Sequence, residues 1–244
     1  MFLRPRIRGQ FPSLIKLSYS FIISILILIN TITFYTAYSK TSIANAVFSH
    51  YIAPIIVAML SPFILKEKTG IRTVSAIVIS TTGLWVLLND VKLSDFIDFI
   101  VSYGKVANND ASGIFFGIIS GFAYGLLIVF VRILTQKIEP HIMIFCQNSF
   151  LLIMLLPFVD VFPLEYLWVF IIMGIFNATI APNLYYLGLK SIEANRTAIL
   201  GYFEPLSAVV LGMLFLNEYP KTMTIFGGAL IIFSGYLVIN KSDD

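Results

Sequence analysis

Glu204 stands beside Pro205 in a stretch that carries no other charge between Arg196 and Glu218. A carboxylate in so apolar a run is expensive to hold in lipid, and such groups by default carry function. Two chemistries fit it: taking up and releasing a proton, or pairing with a cationic substrate. A protonated glutamate bonded to a neighbouring helix is the structural alternative. His50 is the other titratable group at that depth; a neutral, satisfied histidine competes there with a proton carrier. His50 and Gly201 each lie four residues before a proline, Pro54 and Pro205. Proline has no amide hydrogen, so the carbonyls of His50 and Gly201 lose their helical partners. In lipid they need another, supplied by a polar cavity or by a neighbouring side chain. Pro182 frees the Ala178 carbonyl in the same way, whereas Pro62 lies close to a helix end and shapes its exit.

Around these groups the apolar runs carry scattered polar side chains. The candidate substrate path is His50, Tyr51, Pro54, Tyr124, Gln147, Asn177, Tyr185, Tyr202, Glu204 and Pro205. A mostly apolar surface with a few convergent polar groups is what small-molecule sites are made of. Asn177, Ala181 and Tyr185 fall on one helix face at four-residue spacing. Signals for catalysis are missing: there is no phosphate-binding glycine loop, no Gly-x-Ser-x-Gly, no His-Glu-x-x-His and no pair of intramembrane carboxylates. His141 opens a helix and no acid–histidine cluster has ligand spacing, so neither a metal nor a cofactor is expected. The single Cys146 excludes an intramolecular disulfide and reads as a small buried side chain.

The elements that must position these residues follow from composition. Of 244 residues, 58% are hydrophobic and 12% charged, with a mean hydropathy of +0.91. A water-soluble domain carries about 25% charged residues, so lipid is the solvent here. A net charge of +3 gives no polyanion signal, and nucleic acid is not an expected partner. Runs of roughly 20 apolar residues cross a bilayer as helices. The sequence predicts an all-α polytopic membrane protein with eight such helices: Leu17–Ser39, Ile43–Leu65, Ile71–Leu88, Ser112–Leu134, His141–Val159, Leu164–Leu189, Thr197–Leu216 and Thr222–Ile239. The one long connection, 89–111, holds Phe96, Ile97, Phe99 and Ile100 and predicts a short interfacial helix. Gly113, Gly117, Gly121 and Gly125 put four glycines on one stripe, which lets a second helix approach closely.

Lysines and arginines predict the orientation. With the N-terminus inside, the inner segments hold Arg4, Arg6, Arg8, Lys16, Lys66, Lys68, Arg72, Arg132, Lys137, Lys190, Arg196 and Lys241; only Lys40, Lys92, Lys105 and Lys221 fall outside. That bias matches eight spans in a cell membrane with both termini cytoplasmic.

The chain also repeats itself. Tyr35, Tyr51, Pro54, Leu60, Leu65, Glu67, Thr73 and Gly83 recur as Tyr186, Tyr202, Pro205, Leu211, Leu216, Glu218, Thr224 and Gly235. Four helices lie between the two proline helices, so the copies run in opposite directions through the membrane. Inverted repeats place a substrate path at their interface. Glu67 and Glu218 close their helices and read as residues that fix helix depth. The counterpart of Glu204 is Ala53, so only the second copy carries the charge.

On the segments YTAYSKTSIANAVFSHYIAPIIVAMLSPFILKEK at 35–68 and YLGLKSIEANRTAILGYFEPLSAVVLGMLFLNEYP at 186–220, with ISTTGLWVLL and IIFSGYLVI closing the copies, the chain resembles the EamA-like branch of the drug/metabolite transporter superfamily. The resemblance implies two inverted units of five helices each. It divides this chain into an incomplete first unit of three helices (1–88), a linker (89–111) and a complete second unit (112–244). MFLRPRIRGQ resembles the basic link that follows the second helix of that family. A start assigned too far downstream, a truncated gene and a genuine short form all remain open. The implied function is secondary transport, with export favoured, of small metabolites or drugs. The alternative is a shortened paralogue that does not transport and acts as a membrane partner. A homodimer is a further expectation, beside the lipid bilayer and a small-molecule substrate as partners, and the missing helices imply inactivity alone or a partner that fills the gap.

Overall fold

The computed structural model describes residues 14–88, 93–101, 109–159, 163–217 and 219–239. Arg4, Arg6, Arg8, Lys92, Lys105, Glu218 and Lys241, on which part of the reading above rests, lie outside the described residues. The regular elements of the described residues are helices: α1 (Leu14–Lys40), α2 (Ile43–His50), α3 (Ala53–Ile64), α4 (Ile71–Leu88), α5 (Leu93–Val101), α6 (Asn109–Thr135), α7 (Pro140–Leu155), α8 (Leu167–Ile175), α9 (Ala181–Ser191), α10 (Ala194–Leu200), α11 (Phe203–Leu216) and α12 (Thr222–Ile239). Eight segments among them are long and apolar enough to cross a membrane: Leu17–Lys40, Ile43–Ile64, Ile71–Leu88, Asp110–Thr135, Pro140–Phe158, Leu164–Ser191, Ala194–Leu216 and Thr222–Ile239. These are the eight predicted spans, and the protein is an all-α, multi-pass membrane protein. The linker helix is α5, with Ile97, Ile100 and Val101 exposed and Phe96 packed edge-on against Phe48 at 5.5 Å.

Three spans are less regular than the apolar periodicity suggests. The second is broken at Tyr51–Ile52 into α2 and α3, and the seventh at Gly201–Tyr202 into α10 and α11. Pro54 occupies the first turn of α3 and Pro205 that of α11. The first turn is where a missing amide costs nothing and where the fixed φ of proline suits the helix. The prolines therefore start new helices rather than kink old ones. In the sixth span a wide π turn, Phe176–Ile180, joins α8 to α9, and Pro182 sits in the first turn of α9.

The repeat is visible in the backbone as well. Lys66 (φ 59°) and Asn217 (φ 56°) are the two non-glycine residues with positive φ among the described residues, and they are equivalent positions of the two copies. Asparagine tolerates this left-handed conformation, whereas lysine gains nothing from it. At Lys66 the conformation is held by the Leu65 and Glu67 amides, which both donate to the Ser61 carbonyl at 2.9 and 3.3 Å and so close the last turn of α3.

The chain forms two compact units, Met1–Leu28 with Phe130–Ile192, and Ile29–Val129 with Glu193–Asp244. Both copies of the repeat, α2–α4 and α10–α12, belong to the second unit. Its core includes, among the described residues, one cluster of Ala76, Ile77, Ile199 and Val238 and another of Leu84, Leu87, Tyr202 and Ile231. The helices that close the copies pack on each other: a Cβ added at Gly83 would meet the Gly227 carbonyl at 2.9 Å, so α4 and α12 touch backbone to backbone. In the first unit Arg132 donates to the Leu189 and Lys190 carbonyls at 2.6 and 2.9 Å, capping the end of α9 with a cation, as the helix dipole favours. Lys190 pairs with Glu139 at 2.9 Å. Cys146 is free and buried.

Candidate functional site

The two helix breaks of the second unit lie against each other, tied by the equivalent tyrosines. The rings of Tyr51 and Tyr202 are 5.1 Å apart between centroids. Each hydroxyl reaches the backbone of the other break. Tyr202 Oη donates to the Tyr51 carbonyl (3.2 Å) and is 2.8 Å from Thr81 Oγ1. Tyr51 Oη lies 3.3 Å from the Gly201 carbonyl. The Gly201 carbonyl, which Pro205 deprives of its helical donor, also accepts from the Glu204 amide at 3.0 Å. A neighbouring side chain thus supplies the partner that the sequence required. Tyr202 is fully buried and Tyr51 partly so.

The same Tyr51 hydroxyl is 3.2 Å from Glu204 Oε2. A phenol carries one proton, so Tyr51 serves the Gly201 carbonyl or the Glu204 carboxylate, one at a time. The Glu204 side chain is exposed. It lies in the first turn of α11. Ala53 at the matching position is 2% exposed. Tyr38 of α1 is within electrostatic reach of Glu204. From Tyr38 a run of rings continues through Phe34 (4.5 Å) to His50 (4.4 Å from Phe34), with Tyr124 5.2 Å and Tyr51 5.7 Å from the imidazole. Tyr38 and Phe34 escaped the sequence reading; four-residue spacing on α1 placed them on one face, yet nothing in that helix announced which face it was.

His50 is held by more than rings. Its Nδ1 is 2.9 Å from Ser120 Oγ, and Ser120 Oγ in turn donates to the Asn30 carbonyl at 3.1 Å. Asn30 Nδ2 returns a bond to Ser120 Oγ at 2.9 Å. The glycine stripe makes this network reachable. Added Cβ atoms at Gly113, Gly117, Gly121 and Gly125 would collide with Thr41, Ser49, the His50 carbonyl and Ile56 respectively. The stripe is the surface on which α6 lies directly against α2 and α3. Pro54 is buried and Pro205 partly buried beside the breaks.

The copies also cap each other. Ser42 Oγ accepts from the Asn45 amide at 3.1 Å and caps α2 from within its own copy. Its counterpart Glu193 makes no side-chain cap for α10. Glu67 of the first copy does so instead, its Oε2 accepting the Ala194 amide at 2.8 Å, while Thr69 Oγ1 meets Asn195 Nδ2 at 3.2 Å. The depth-fixing residue of the sequence reading is thus a cap on the other copy's helix; Glu218 lies outside the described residues.

Gln147, Asn177 and Tyr185 belong to the first unit. Gln147 is 3% exposed and its Oε1 accepts from Tyr186 Oη at 2.8 Å. Its backbone carbonyl accepts from Ser24 Oγ at 3.1 Å. The Ala178 carbonyl freed by Pro182 accepts from Asn148 Nδ2 at 2.9 Å. Asn177 is exposed within the π turn. That turn inserts a residue between Asn177 and Tyr185, so the straight stripe predicted at four-residue spacing is rotated along the span.

Comparison with known proteins adds an independent line. A model of the EamA-like transporter family matches residues 2–89 and 111–240. An uncharacterized transporter of Archaeoglobus fulgidus is 26% identical over 207 residues, covering 84% of this chain and 70% of that protein. Uncharacterized transporters of Bacillus subtilis and Clostridium kluyveri are 22% and 25% identical, covering 84% and 91% of this chain and 64% and 70% of their own lengths. The chain therefore spans about two thirds of the relatives it matches. A solved crystal structure superposes with a TM-score of 0.71 at 17% identity, over 94% of this chain and 76% of that one, which speaks to the fold alone.

Proposed function

The chain belongs to the EamA-like transporter family, and from that premise we propose that it is a secondary carrier of small metabolites or drugs in the cell membrane, working by alternating access and, by the family resemblance, as an exporter. The observation that carries the reading is the paired break. Two equivalent interruptions from a repeated sequence lie against each other, with one carboxylate and a line of rings beside them. Broken helices near the midplane are where carriers of this construction hold substrate. A proton or ion gradient drives the cycle, both termini face the cytoplasm, and Glu204 is the group whose charge changes during it.

Purified protein in liposomes, presented with a panel of amino acids and amphipathic cations, tests this. Accumulation of at least one solute above protein-free vesicles is the expected result. Correctly folded protein that moves none of them refutes the carrier reading. Glu204→Gln is expected to remove the dependence of flux on a pH gradient; unchanged dependence takes that role from Glu204.

A further inference from the structure

We propose that the Glu204 site takes a ring-bearing organic cation, an ammonium group set against the carboxylate with its ring among those of Tyr38, Tyr51 and Phe34. The inference deepens the carrier reading and rests on it.

A carboxylate accepts about four hydrogen bonds, and Glu204 receives one here, from a tyrosine that it shares with the Gly201 carbonyl. Among the described residues no lysine or arginine pairs with it. Arg196, on the preceding helix α10, pairs with Glu193 at 3.1 Å. An anionic substrate would therefore meet the Glu204 charge with no protein cation to offset it. A bare divalent metal is disfavoured too, since no group of three His, Cys, Asp or Glu is assembled among the described residues. What the surface does offer is rings. Tyr38 is within electrostatic reach of Glu204, and Phe34, His50, Tyr124 and Tyr51 continue from it at 4.4 to 5.7 Å between centroids. The negative face of an aromatic ring attracts ammonium groups, most strongly where water is excluded, and ring edges and faces accept a further aromatic group in stacked or edge-on contact. When the cation engages Glu204, Tyr51 Oη is released to the Gly201 carbonyl, so occupancy is felt in the backbone of the second break.

The test is calorimetric binding to the full chain in detergent, with benzyltrimethylammonium as the probe against phenylacetate and benzyl alcohol. The cation is expected to bind about tenfold more tightly than either. Glu204→Gln is expected to erase that preference, while Glu204→Asp, which keeps the charge, stays within about threefold of the parent. Circular dichroism and a single size-exclusion peak confirm that each variant is folded. Equal binding of the alcohol, retained affinity in Glu204→Gln, or an equal loss in Glu204→Asp and Glu204→Gln overturns the proposal. Flux of anionic or neutral solutes without preference for the cation also overturns it and leaves the carrier reading standing. Cation binding without flux of any solute leaves the site standing and removes the carrier.

Discussion

The two helix breaks share a plan and differ in chemistry. His50-Tyr51-Ile52-Ala53-Pro54 and Gly201-Tyr202-Phe203-Glu204-Pro205 place tyrosine and proline identically and end one helix and start the next within one residue of the same points. The residues between diverge. The first break has a ring where the second has glycine, and its Ala53 is buried where the second exposes Glu204. Tyrosine and proline thus specify the interruption, and the variable positions specify what it does. The caps differ in the same spirit: α2 is capped by its own Ser42, α10 by Glu67 from the other copy.

Substitutions can break this contrast. Ala53→Glu copies the second break onto the first and is expected to do most harm, because the site is closed and a buried charge at membrane depth costs about 3 kcal/mol or more. The readout is the yield of monodisperse protein, and a variant as stable as the parent would mean that burial does not separate the breaks. Next comes Gly121→Leu, which drives a side chain into the His50 carbonyl and Ile52 and is expected to cost about 1–3 kcal/mol in thermal unfolding. Gly188→Ala, where nothing lies within 4 Å, is expected to gain up to about 1 kcal/mol from helix propensity. Tyr202→Phe, which removes a buried hydroxyl with two partners, is expected to lose about 1 kcal/mol or slightly more. The smallest effects are at the caps. Ser42→Ala and Glu67→Ala are each expected to cost about 0.5–1 kcal/mol, with faster hydrogen exchange at the Asn45 amide in the first and at the Ala194 amide in the second. Exchange at Ala194 that ignores Glu67→Ala would remove the capping between copies.

Local signals carried most of the architecture. Eight apolar runs, the linker helix and the glycine stripe all answer to patterns within one segment, and the structure places them where hydropathy and spacing did. The carbonyls orphaned by Pro182 and Pro205 were also legible, since a missing amide is a property of the sequence. Their partners were not: Asn148 and Tyr51 lie far from Ala178 and Gly201 along the chain, and only the tertiary fold brings them within 3.3 Å. For the same reason Glu67 read as a boundary marker, and Phe34 and Tyr38 read as ordinary members of an apolar helix. Proline in the middle of an apolar run looks identical whether it bends one helix or begins another, so the breaks themselves are visible only in the fold.

The tilted rings of Tyr51 and Tyr202 meet, each hydroxyl reaching the backbone of the other break. Residues astride a twofold axis do this when two identical chains associate, because every group there meets its own image. A duplicated and fused chain keeps that handshake but is released from its symmetry: a charge can be introduced on one side alone. In a true dimer Glu204 would arrive in duplicate, two carboxylates repelling each other across the axis; in a single chain it arrives once, and the fold acquires a direction.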